Sequence, residues 1–222
     1  MSPGTYSGMV QVSAPDAGNS TVPVTLTVTP YTGCGAACGG TATMYAEPYV
    51  YDPSSSGTLT ALWVDRLGVP TGNLASTPNP GLVLSKYATS PAGSLTGAYI
   101  RNVQGSLTEL GFDYLEGGQC TATSPRFVIV ASTTGTHVLG GCSTGTITAP
   151  MIGTTPVVGW KRVRFNMSAT AQASLGFVPG DTVTSITLVQ DQGPDPAVAG
   201  SAGGLVVIDN IDINGTFAGR GL

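Results

Sequence analysis

The chain has 222 residues, of which only 9% are charged, far below the average of about 25% for globular domains. The formal net charge is −4 and the eight Lys and Arg are scattered, so nucleic acid is not an expected partner. No apolar run approaches the roughly 18 residues that a spanning helix needs, so we expect no membrane span. The 32 glycines and 16 prolines recur at short intervals, which is typical of many short strands joined by turns.

The first two predicted strands lie in residues 1–30. The sequence VPVTLTV, residues 22–28, alternates apolar and smaller or polar residues, which predicts a strand with one buried face. Residues 5–12 are its predicted partner, and the intervening sequence APDAGNS is rich in turn-forming residues. These two strands need the remainder of a sheet, because an isolated two-stranded hairpin is only marginally stable in water.

The sequence GTYSGMVQVSAPDAGNSTVPVTLTV, residues 4–28, resembles the last two strands of a bacterial Ig-like repeat of the BACON-like kind. Such repeats commonly end in a G-x-Y-x-G-x-V strand followed by a V-x-V-x-L-x-V strand, so the resemblance implies an Ig-like sheet whose earlier strands are missing. The segment is then either the truncated end of a repeat or a pair of donor strands that completes another sheet, in this chain or in a neighbour. Head-to-tail donation between copies would give an open homopolymer.

The four cysteines are expected to form two disulfides, Cys34–Cys38 and Cys120–Cys142. An even number is typical of an oxidised, secreted protein, so we expect an extracellular or cell-surface location. Zinc is the alternative, but a C-x3-C followed by a lone C-x21-C fits the usual ligand spacing badly. The first pair would pinch a Gly-rich linker, residues 31–40.

The predicted main domain spans residues 41–222. Its apolar runs are separated by turn signals and show no helical period beyond a single turn at 169–176, which predicts an all-β fold. We expect an antiparallel two-sheet sandwich of the jelly-roll kind. The predicted strands are 42–51, 58–66, 81–87, 96–103, 106–115, 126–132, 135–140, 157–167, 182–190 and 204–213.

Four segments of this domain, LTELGFDYLEGGQCTATSPRFVIV, GTHVLGGC, GWKRVRF and GGLVVIDNIDINGT, resemble a domain of secreted bacterial proteins without an assigned function. Its outline is similar to that of carbohydrate-binding jelly rolls, which often close on a strand ending in a D-N-I or D-D-V sequence. The resemblance implies a jelly-roll fold and admits a polysaccharide as partner. Fold alone does not imply an activity.

The sequence offers no convergent catalytic set, so we do not expect an enzyme. His137 is the only histidine, which excludes a His-rich metal site, and no G-x-S-x-G elbow marks a Ser-His-Asp triad. A histidine on an edge strand is the plain alternative. Asp113 and Glu116 lie near one strand end and could form a glycosidase carboxylate pair, but two solvated residues beside a turn would look the same.

Asp209 is the most informative acid, because it stands in an apolar strand. An unpaired carboxylate is costly to bury, so it needs backbone donors, an arginine or a cation. Arg126 is the arginine that we expect first, and a structural Ca²⁺ is the alternative, since similar jelly rolls often hold Ca²⁺ with an acid on the last strand. The apolar residues predicted on the face of Asp209 are Leu205, Val207, Ile211 and Ile213.

Two aromatic sets are candidate saccharide platforms. Trp160, Arg162 and Arg164 are predicted on one strand face, where an exposed Trp could stack a sugar ring and the guanidinium groups could bond its hydroxyls. The alternative is that Trp160 caps the sandwich while the Arg stems cover apolar surface. The second set is equally compatible with a core or interface stripe. Its members, on one strand face with Glu47, are Tyr45, Tyr49 and Tyr51.

These features together predict a non-catalytic extracellular β-sandwich that serves assembly or attachment, with other copies of the chain as partners. The low charge, the two expected disulfides and the two strands without a sheet favour this class. The alternative is a carbohydrate-binding module with a polysaccharide as its ligand.

Overall fold

The computed structural model describes residues 4–14, 18–28, 43–70, 79–86, 93–103, 105–192 and 204–221. The chain divides into two compact units, Met1–Ala42 and Thr43–Leu222. The predicted linker 31–40, with Cys34 and Cys38, lies outside the described residues, so that disulfide stays a prediction.

The first unit contains a two-stranded antiparallel sheet. Strand β1, Gly4–Ala14, pairs along its whole length with β2, Gly18–Val28. Within the described part of the chain, neither strand pairs with a third. The two predicted strands therefore form, and each is longer than its predicted range, 5–12 for the first and 22–28 for the second.

The second unit is built from short strands and one helical turn, α1, Ala169–Ser174. The strands are, in chain order, β3 (Tyr45–Tyr51), β4 (Leu59–Val64), β5 (Gly81–Lys86), β6 (Leu95–Arg101), β7 (Glu109–Leu115), β8 (Arg126–Ala131), β9 (Gly135–Leu139), β10 (Thr146–Thr148), β11 (Met151–Ile152), β12 (Thr155–Pro156), β13 (Trp160–Asn166), β14 (Val183–Gln190), β15 (Leu205–Ile213) and β16 (Thr216–Arg220). Each of the ten predicted segments overlaps one of these strands, and nine contain their strand completely; β6 begins one residue before its predicted segment.

Apart from β11 and β12, which form a separate two-stranded sheet, the strands of this unit form two layers that share β16. One layer has the order β3-β6-β14-β8-β9, and the other has β10-β13-β7-β15, with β5 and β4 following on β15. Strand β16 is antiparallel to β15, with Ile213 opposite Thr216, and parallel to β3, with Gly219 opposite Tyr45. Among the described strand pairs this one is parallel and the others are antiparallel, because the last strand crosses from one layer to the other.

Aromatic side chains from both layers meet in the core. Phe127 of β8 lies edge-on to Phe165 of β13 at 6.2 Å between ring centroids, and 5.8 Å from Phe112 of β7. All three rings are buried. Burial of such rings between two sheets is the main stabilising contribution that this architecture offers. The all-β two-sheet sandwich predicted from the sequence is thus confirmed.

A β-bulge interrupts β15 at the residues that were expected to surround Asp209. Asp209 lies opposite Asp113, whereas Asp212 lies opposite Gly111, so β15 carries one extra residue between them. Asn210 takes up the distortion in a left-handed conformation, with φ of 45°.

The bulge changes which side chains face the core. Val206 and Ile208 before it, and Ile211 and Ile213 after it, all lie in the main apolar core. The prediction that Ile211 and Ile213 share a face with Asp209 is therefore wrong, because one inserted residue reverses the alternation of a strand.

The disulfide between Cys120 and Cys142 is present, with its Cα atoms 5.4 Å apart. Cys142 is buried and begins a short 3-10 turn, Cys142–Thr144. The link joins the segment before β8 to the segment after β9, so it fastens the edge hairpin of that layer. This pairing confirms the one predicted from the sequence.

Candidate functional site

Trp160 does not form an exposed platform. Its side chain is only 5% exposed and packs in a small apolar cluster with Val69, Val157 and Val207. These residues lie on the outer side of their layer and cover the indole. The structure therefore matches the alternative in which Trp160 caps the sandwich, and its ring has no free face for a sugar.

Arg162 is held in a buried ion pair rather than directed to a ligand. Its Nε and Nη2 atoms donate to the two carboxylate oxygens of Asp113 at 2.8 and 2.9 Å. Asp113 is fully buried and also accepts from Nδ2 of Asn210 at 2.9 Å. The hydrogen bond to Asp113 raises the pKa of Arg162. A bidentate pair of this kind fixes both side chains.

Arg164 extends the same network. Its Nε lies 3.0 Å from Oδ2 of Asp212 and its Nη1 lies 3.6 Å from Oδ1 of Asp113. A Cβ atom at Gly111 would lie 2.4 Å from Cδ of Arg164, so glycine leaves the room that this side chain fills. Burial lowers the pKa of Arg164, and this effect outweighs the neighbouring carboxylates, which raise the pKa.

Asp209 is anchored by backbone donors. Oδ2 accepts from the N–H of Val69 at 2.7 Å and Oδ1 from the N–H of Asn210 at 2.7 Å. Burial raises the pKa of Asp209, these two donors lower it, and the Asp113 carboxylate adds to the rise. Of the three predicted ways to satisfy this carboxylate, backbone donors are the one that the described residues provide.

The predicted partner of Asp209 lies elsewhere. Arg126 forms an ion pair with Asp191, through Nη2 and Oδ2. The prediction of an Arg126–Asp209 pair is therefore wrong, because Asp191 follows β14, which lies next to β8 in the layer. Among the described residues, no three His, Cys, Asp or Glu side chains are grouped as metal ligands. The calcium alternative at Asp209 stays a prediction, and its oxygens already accept two N–H groups.

Tyrosines and one ion pair occupy the outer side of β3 and β6. We call this surface the tyrosine face and define it by Tyr45, Glu47, Tyr49, Tyr51, Tyr99 and Arg101. In the β3–β6 register Glu47 lies opposite Tyr99, and Tyr45 lies opposite Arg101. Side chains opposite each other across a strand pair lie close enough to interact. The second predicted platform therefore lies at the surface, with two additional members from β6.

A stacked column fixes the centre of the tyrosine face. The rings of Tyr49 and Tyr99 are stacked, with centroids 4.2 Å apart and planes at 20°. The Arg101 guanidinium lies over the Tyr99 ring, 4.6 Å from its centroid, and donates from Nε to Oε2 of Glu47 at 2.6 Å. Such stacked and cation–π contacts hold the side chains before any ligand arrives.

Tyr51 is the free ring of this surface. It is 55% exposed, compared with 38% for Tyr99. No aromatic or cation–π partner of Tyr51 occurs among the described residues. Tyr45, by contrast, lies against the chain end, where a Cβ atom at Gly221 would come 2.5 Å from its Cδ2. A ring with an open face beside fixed polar groups can stack against a flat apolar ligand surface.

Gly97 allows Tyr49 to lie close to the sheet. Gly97 is opposite Tyr49, and a Cβ atom there would be 2.8 Å from Cε1 of the ring. Burial, with smaller effects of Tyr99 and Asp191, raises the pKa of Tyr49 to about 12. The Tyr49 hydroxyl therefore stays protonated at neutral pH and can donate a hydrogen bond.

The candidate catalytic residues do not converge. Asp113 is locked by Arg162, while Glu116 is exposed and lies 3.3 Å from Nζ of Lys161. His137 lies on β9, the edge strand of its layer, as expected, but its side chain is buried. Asp113 is thus buried in an ion pair, whereas Glu116 lies at the surface.

One cleft of about 500 Å³ lies at the end of the sandwich near α1. Its lining contains both apolar and polar side chains, among them Leu139, Thr144, Arg164, Phe165, Asn166 and Leu175. None of the predicted platform tyrosines lines it. No helix of the described chain is long and apolar enough to cross a membrane.

Sequence reasoning missed Tyr99 and Arg101. They alternate with buried Ala98 and Ile100 in the sequence GAYIR, which is the pattern of a strand with one outer face. That pattern was visible, but the pairing of β6 with β3 was not. The signal becomes informative only when the two strands are placed side by side.

Comparison with known proteins gives no matching family model and no matching curated protein. A solved structure is similar at 14% sequence identity over 96% of this chain and 74% of the other, with a TM-score of 0.32. Its description concerns the promiscuous specificity of carbohydrate-binding modules from the β-sandwich superfamily. Similarity at this level carries no inference about the function of this chain.

Proposed function

We propose that the second unit is a non-catalytic saccharide-binding module whose ligand lies on the tyrosine face. The observation that carries the proposal is the exposed Tyr51 ring next to a fixed column of Tyr49, Tyr99 and Arg101. A sugar ring has an apolar face that stacks on an aromatic ring, and it has hydroxyls that need donors and acceptors. The surface offers both kinds of contact.

The polar groups of the tyrosine face suit a ligand rich in hydroxyls. Tyr49 and Tyr99 supply phenol groups, and the Glu47–Arg101 pair supplies one acceptor and several donors. Both members of that pair are roughly half exposed, with side-chain exposures of 49% and 46%. The two charges cancel within the pair, so a neutral polysaccharide is the ligand class that this surface fits.

An extracellular setting agrees with this proposal. The Cys120–Cys142 disulfide is the structural feature that supports it, because such bonds persist in oxidising compartments.

A glycan array with the full chain tests the proposal, followed by calorimetric titration with the glycan that binds best. We expect Tyr51→Ala to weaken binding about tenfold, which corresponds to about 1.4 kcal/mol for loss of an aromatic anchor. Tyr51→Phe should retain most of the affinity, because it keeps the ring.

Phe217→Ala is the matched control. Phe217 is 48% exposed but lies on β16 opposite Asp212 of the other layer. Its truncation should leave the affinity unchanged. A blank array, or equal weakening by Tyr51→Ala and Phe217→Ala, would contradict the proposal.

A second candidate function is assembly through the first unit. The β1–β2 sheet has eleven paired positions and, in the described chain, no third strand. Strand addition to a neighbouring copy would supply the missing partner. Light scattering of the chain with and without residues 1–30 tests this: polymers that vanish on deletion support strand donation, and equal mass per particle in both samples, apart from the deleted residues, contradicts it.

A further inference from the structure

The outer surface of the β3-β6-β14-β8-β9 layer continues beyond the tyrosine face. Tyr99 of β6 lies opposite Thr187 of β14, which lies opposite Val128 of β8, and Val128 in turn lies opposite Val138 of β9. Directly opposed residues of antiparallel strands carry their side chains on the same face of the sheet. A row of side chains therefore runs across the strands, from Tyr99 to the edge strand β9.

A neighbouring row has the same character. Ser185 of β14 lies opposite Val130 of β8, and Val130 lies opposite Thr136 of β9. Serine, threonine and valine side chains make up both rows, so hydroxyl and methyl groups lie side by side. We call the two rows beyond the tyrosine face the neutral strip and define it by Ser185, Thr187, Val128, Val130, Thr136 and Val138.

One ion pair borders the neutral strip. Arg126, the outer residue of β8 two positions before Val128, lies opposite Val189 and forms its ion pair with Asp191. The two opposite charges cancel within the pair. The surface from the tyrosine face to β9 therefore presents no net charge to a ligand.

The neutral strip is accessible. Val138 is 52% exposed although it stands inside β9, and the other members of the strip are half-buried or exposed. The residues that alternate with them, such as Ile129 and Ile186, are buried in the core. Apolar side chains grouped on an open surface are typical of interaction sites, whereas isolated ones need no explanation.

The strip lengthens the surface that a ligand can cover. Neighbouring strands lie about 4.8 Å apart, so the path from β3 to β9, which crosses four strand gaps, is about 19 Å long. The tyrosine face alone occupies two neighbouring strands and has room for one sugar ring or a chain end. The complete path has room for several sugar rings in a row.

We propose that the ligand of the tyrosine face is an extended neutral polysaccharide, whose internal sugar units lie across the strands along the neutral strip as far as Val138. This inference rests on the proposed function, because the tyrosine face anchors the same ligand. Hydroxyls such as those of Ser185 and Thr187 suit hydrogen bonds with sugar hydroxyls, and the valine methyl groups suit the apolar faces of the sugar rings. A protein partner would instead favour an interface with a more apolar centre.

Affinity electrophoresis of the full chain, in gels that contain hydroxyethylcellulose, xyloglucan, laminarin or pullulan, tests the proposal. Val138→Arg places a bulky charged side chain at the far end of the path and leaves the tyrosine face unchanged. We expect it to weaken binding about tenfold to the polysaccharide that retards the wild type most, because the chain can no longer lie along the strip.

Val158→Arg is the matched control. Val158 is 93% exposed and precedes β13, which belongs to the other layer. The same substitution there should leave the affinity equal to that of the wild type. Equal weakening by Val138→Arg and Val158→Arg would overturn the proposal.

The remaining outcomes separate this inference from the proposed function. Weakening by Tyr51→Ala without weakening by Val138→Arg would overturn the extended path and leave the proposed function standing. No retardation in any of the gels would overturn both. A smaller particle mass of Val138→Arg than of the wild type in light scattering would show that the strip joins copies of the chain, which would also overturn the polysaccharide path.

NMR of the valine methyl groups in the full chain needs no variant and decides the matter if Val138→Arg does not fold. On addition of the polysaccharide that causes the strongest retardation, we expect the signals of Val128 and Val138 to broaden together with those of the surface tyrosine rings. The signals of Val158 should stay sharp. Broadening of the tyrosine signals alone would overturn the proposal.

Discussion

Replacement of Asp113 by asparagine removes a buried charge on which two arginines depend. Asp113 is fully buried and accepts hydrogen bonds from Nε and Nη2 of Arg162 and from Nδ2 of Asn210. Nη1 of Arg164 lies 3.6 Å from the same carboxylate. An asparagine keeps the shape and one acceptor oxygen, but it places an NH₂ group against the guanidinium of Arg162.

The expected cost follows from this geometry. Removing one partner of a buried ion pair costs about 3–5 kcal/mol, because the remaining charge is left uncompensated. The Arg162 side chain keeps 26% exposure and can be partly solvated, so we expect the lower end of the range, about 3 kcal/mol. In a domain of this size each kcal/mol lowers the melting temperature by about 2–4 °C, which gives a fall of about 6–12 °C.

Urea unfolding followed by near-UV circular dichroism, together with calorimetry, measures the loss. Glu47→Gln is the control, because the Glu47–Arg101 pair is exposed and should be worth less than about 1 kcal/mol. The double variant Asp113→Asn/Arg162→Gln should recover part of the stability, since it removes the uncompensated charge as well. A loss below about 1 kcal/mol in Asp113→Asn would refute the reasoning that this network depends on its buried carboxylate.

Three further predictions concern the Asp181 carboxyl, the Tyr49 hydroxyl and the Cys120–Cys142 disulfide. The pKa of Asp181 is lowered in the folded state by hydrogen bonds from the Thr134 hydroxyl and from backbone N–H groups, so its ionised carboxyl stabilises the fold above the ordinary carboxyl pKa, and this stabilisation is lost as the pH falls. The melting temperature should therefore decline less at acidic pH in Asp181→Asn than in the wild type. An equal decline in both proteins would contradict this prediction. An ultraviolet alkaline titration should show one tyrosine ionisation step near pH 12, and this step should be absent in Tyr49→Phe. If the step remains in that variant, another tyrosine is responsible for it. In urea unfolding, the free energy of unfolding of the double variant Cys120→Ser/Cys142→Ser should be about 3 kcal/mol lower than that of the wild type, because the bond closes a loop between residues 22 apart in sequence and so restricts the unfolded chain. An unchanged free energy of unfolding would contradict this prediction.

Strand alternation made most of the fold predictable. Segments such as β8 and β14 have a buried inner face, and their apolar residues recur with period two, so they were found from the sequence. The strands that were missed, β10, β11, β12 and β16, are short or have few buried residues. Their position depends on pairing with distant strands, which leaves little trace in the local pattern.

The environment of Asp209 shows where local reasoning fails. The sequence indicates an acid in an apolar strand, and the prediction that its carboxylate needs hydrogen-bond donors or a cation was correct. The bulge at Asn210 and the loop that brings the Val69 N–H to the carboxylate are tertiary features, and the sequence near Asp209 does not encode them. Arg126 was the expected partner because it flanks an apolar strand face, but strand order places it beside Asp191 instead.

A similar reason explains why Trp160 is buried while Tyr51 is exposed. Trp160 and Tyr51 both stand on strands with alternating patterns, and neither pattern distinguishes an exposed ring from one that a loop covers. Val69 and Val207, from two other segments, pack with Val157 against Trp160 and help to bury it, whereas no described residue covers the Tyr51 ring to that extent. The exposure of each ring was decided by the chain segments packed on it and not by the alternation of its own strand.

The most direct test of the saccharide proposal is an NMR titration of the full chain, labelled in its tyrosine rings, with the glycan that binds best on the array. The account predicts that the ring signals of Tyr49, Tyr51 and Tyr99 move together, while the buried core ring of Tyr114 does not move. A bound glycan that leaves the three surface rings unperturbed would contradict the assignment of the ligand site to the tyrosine face.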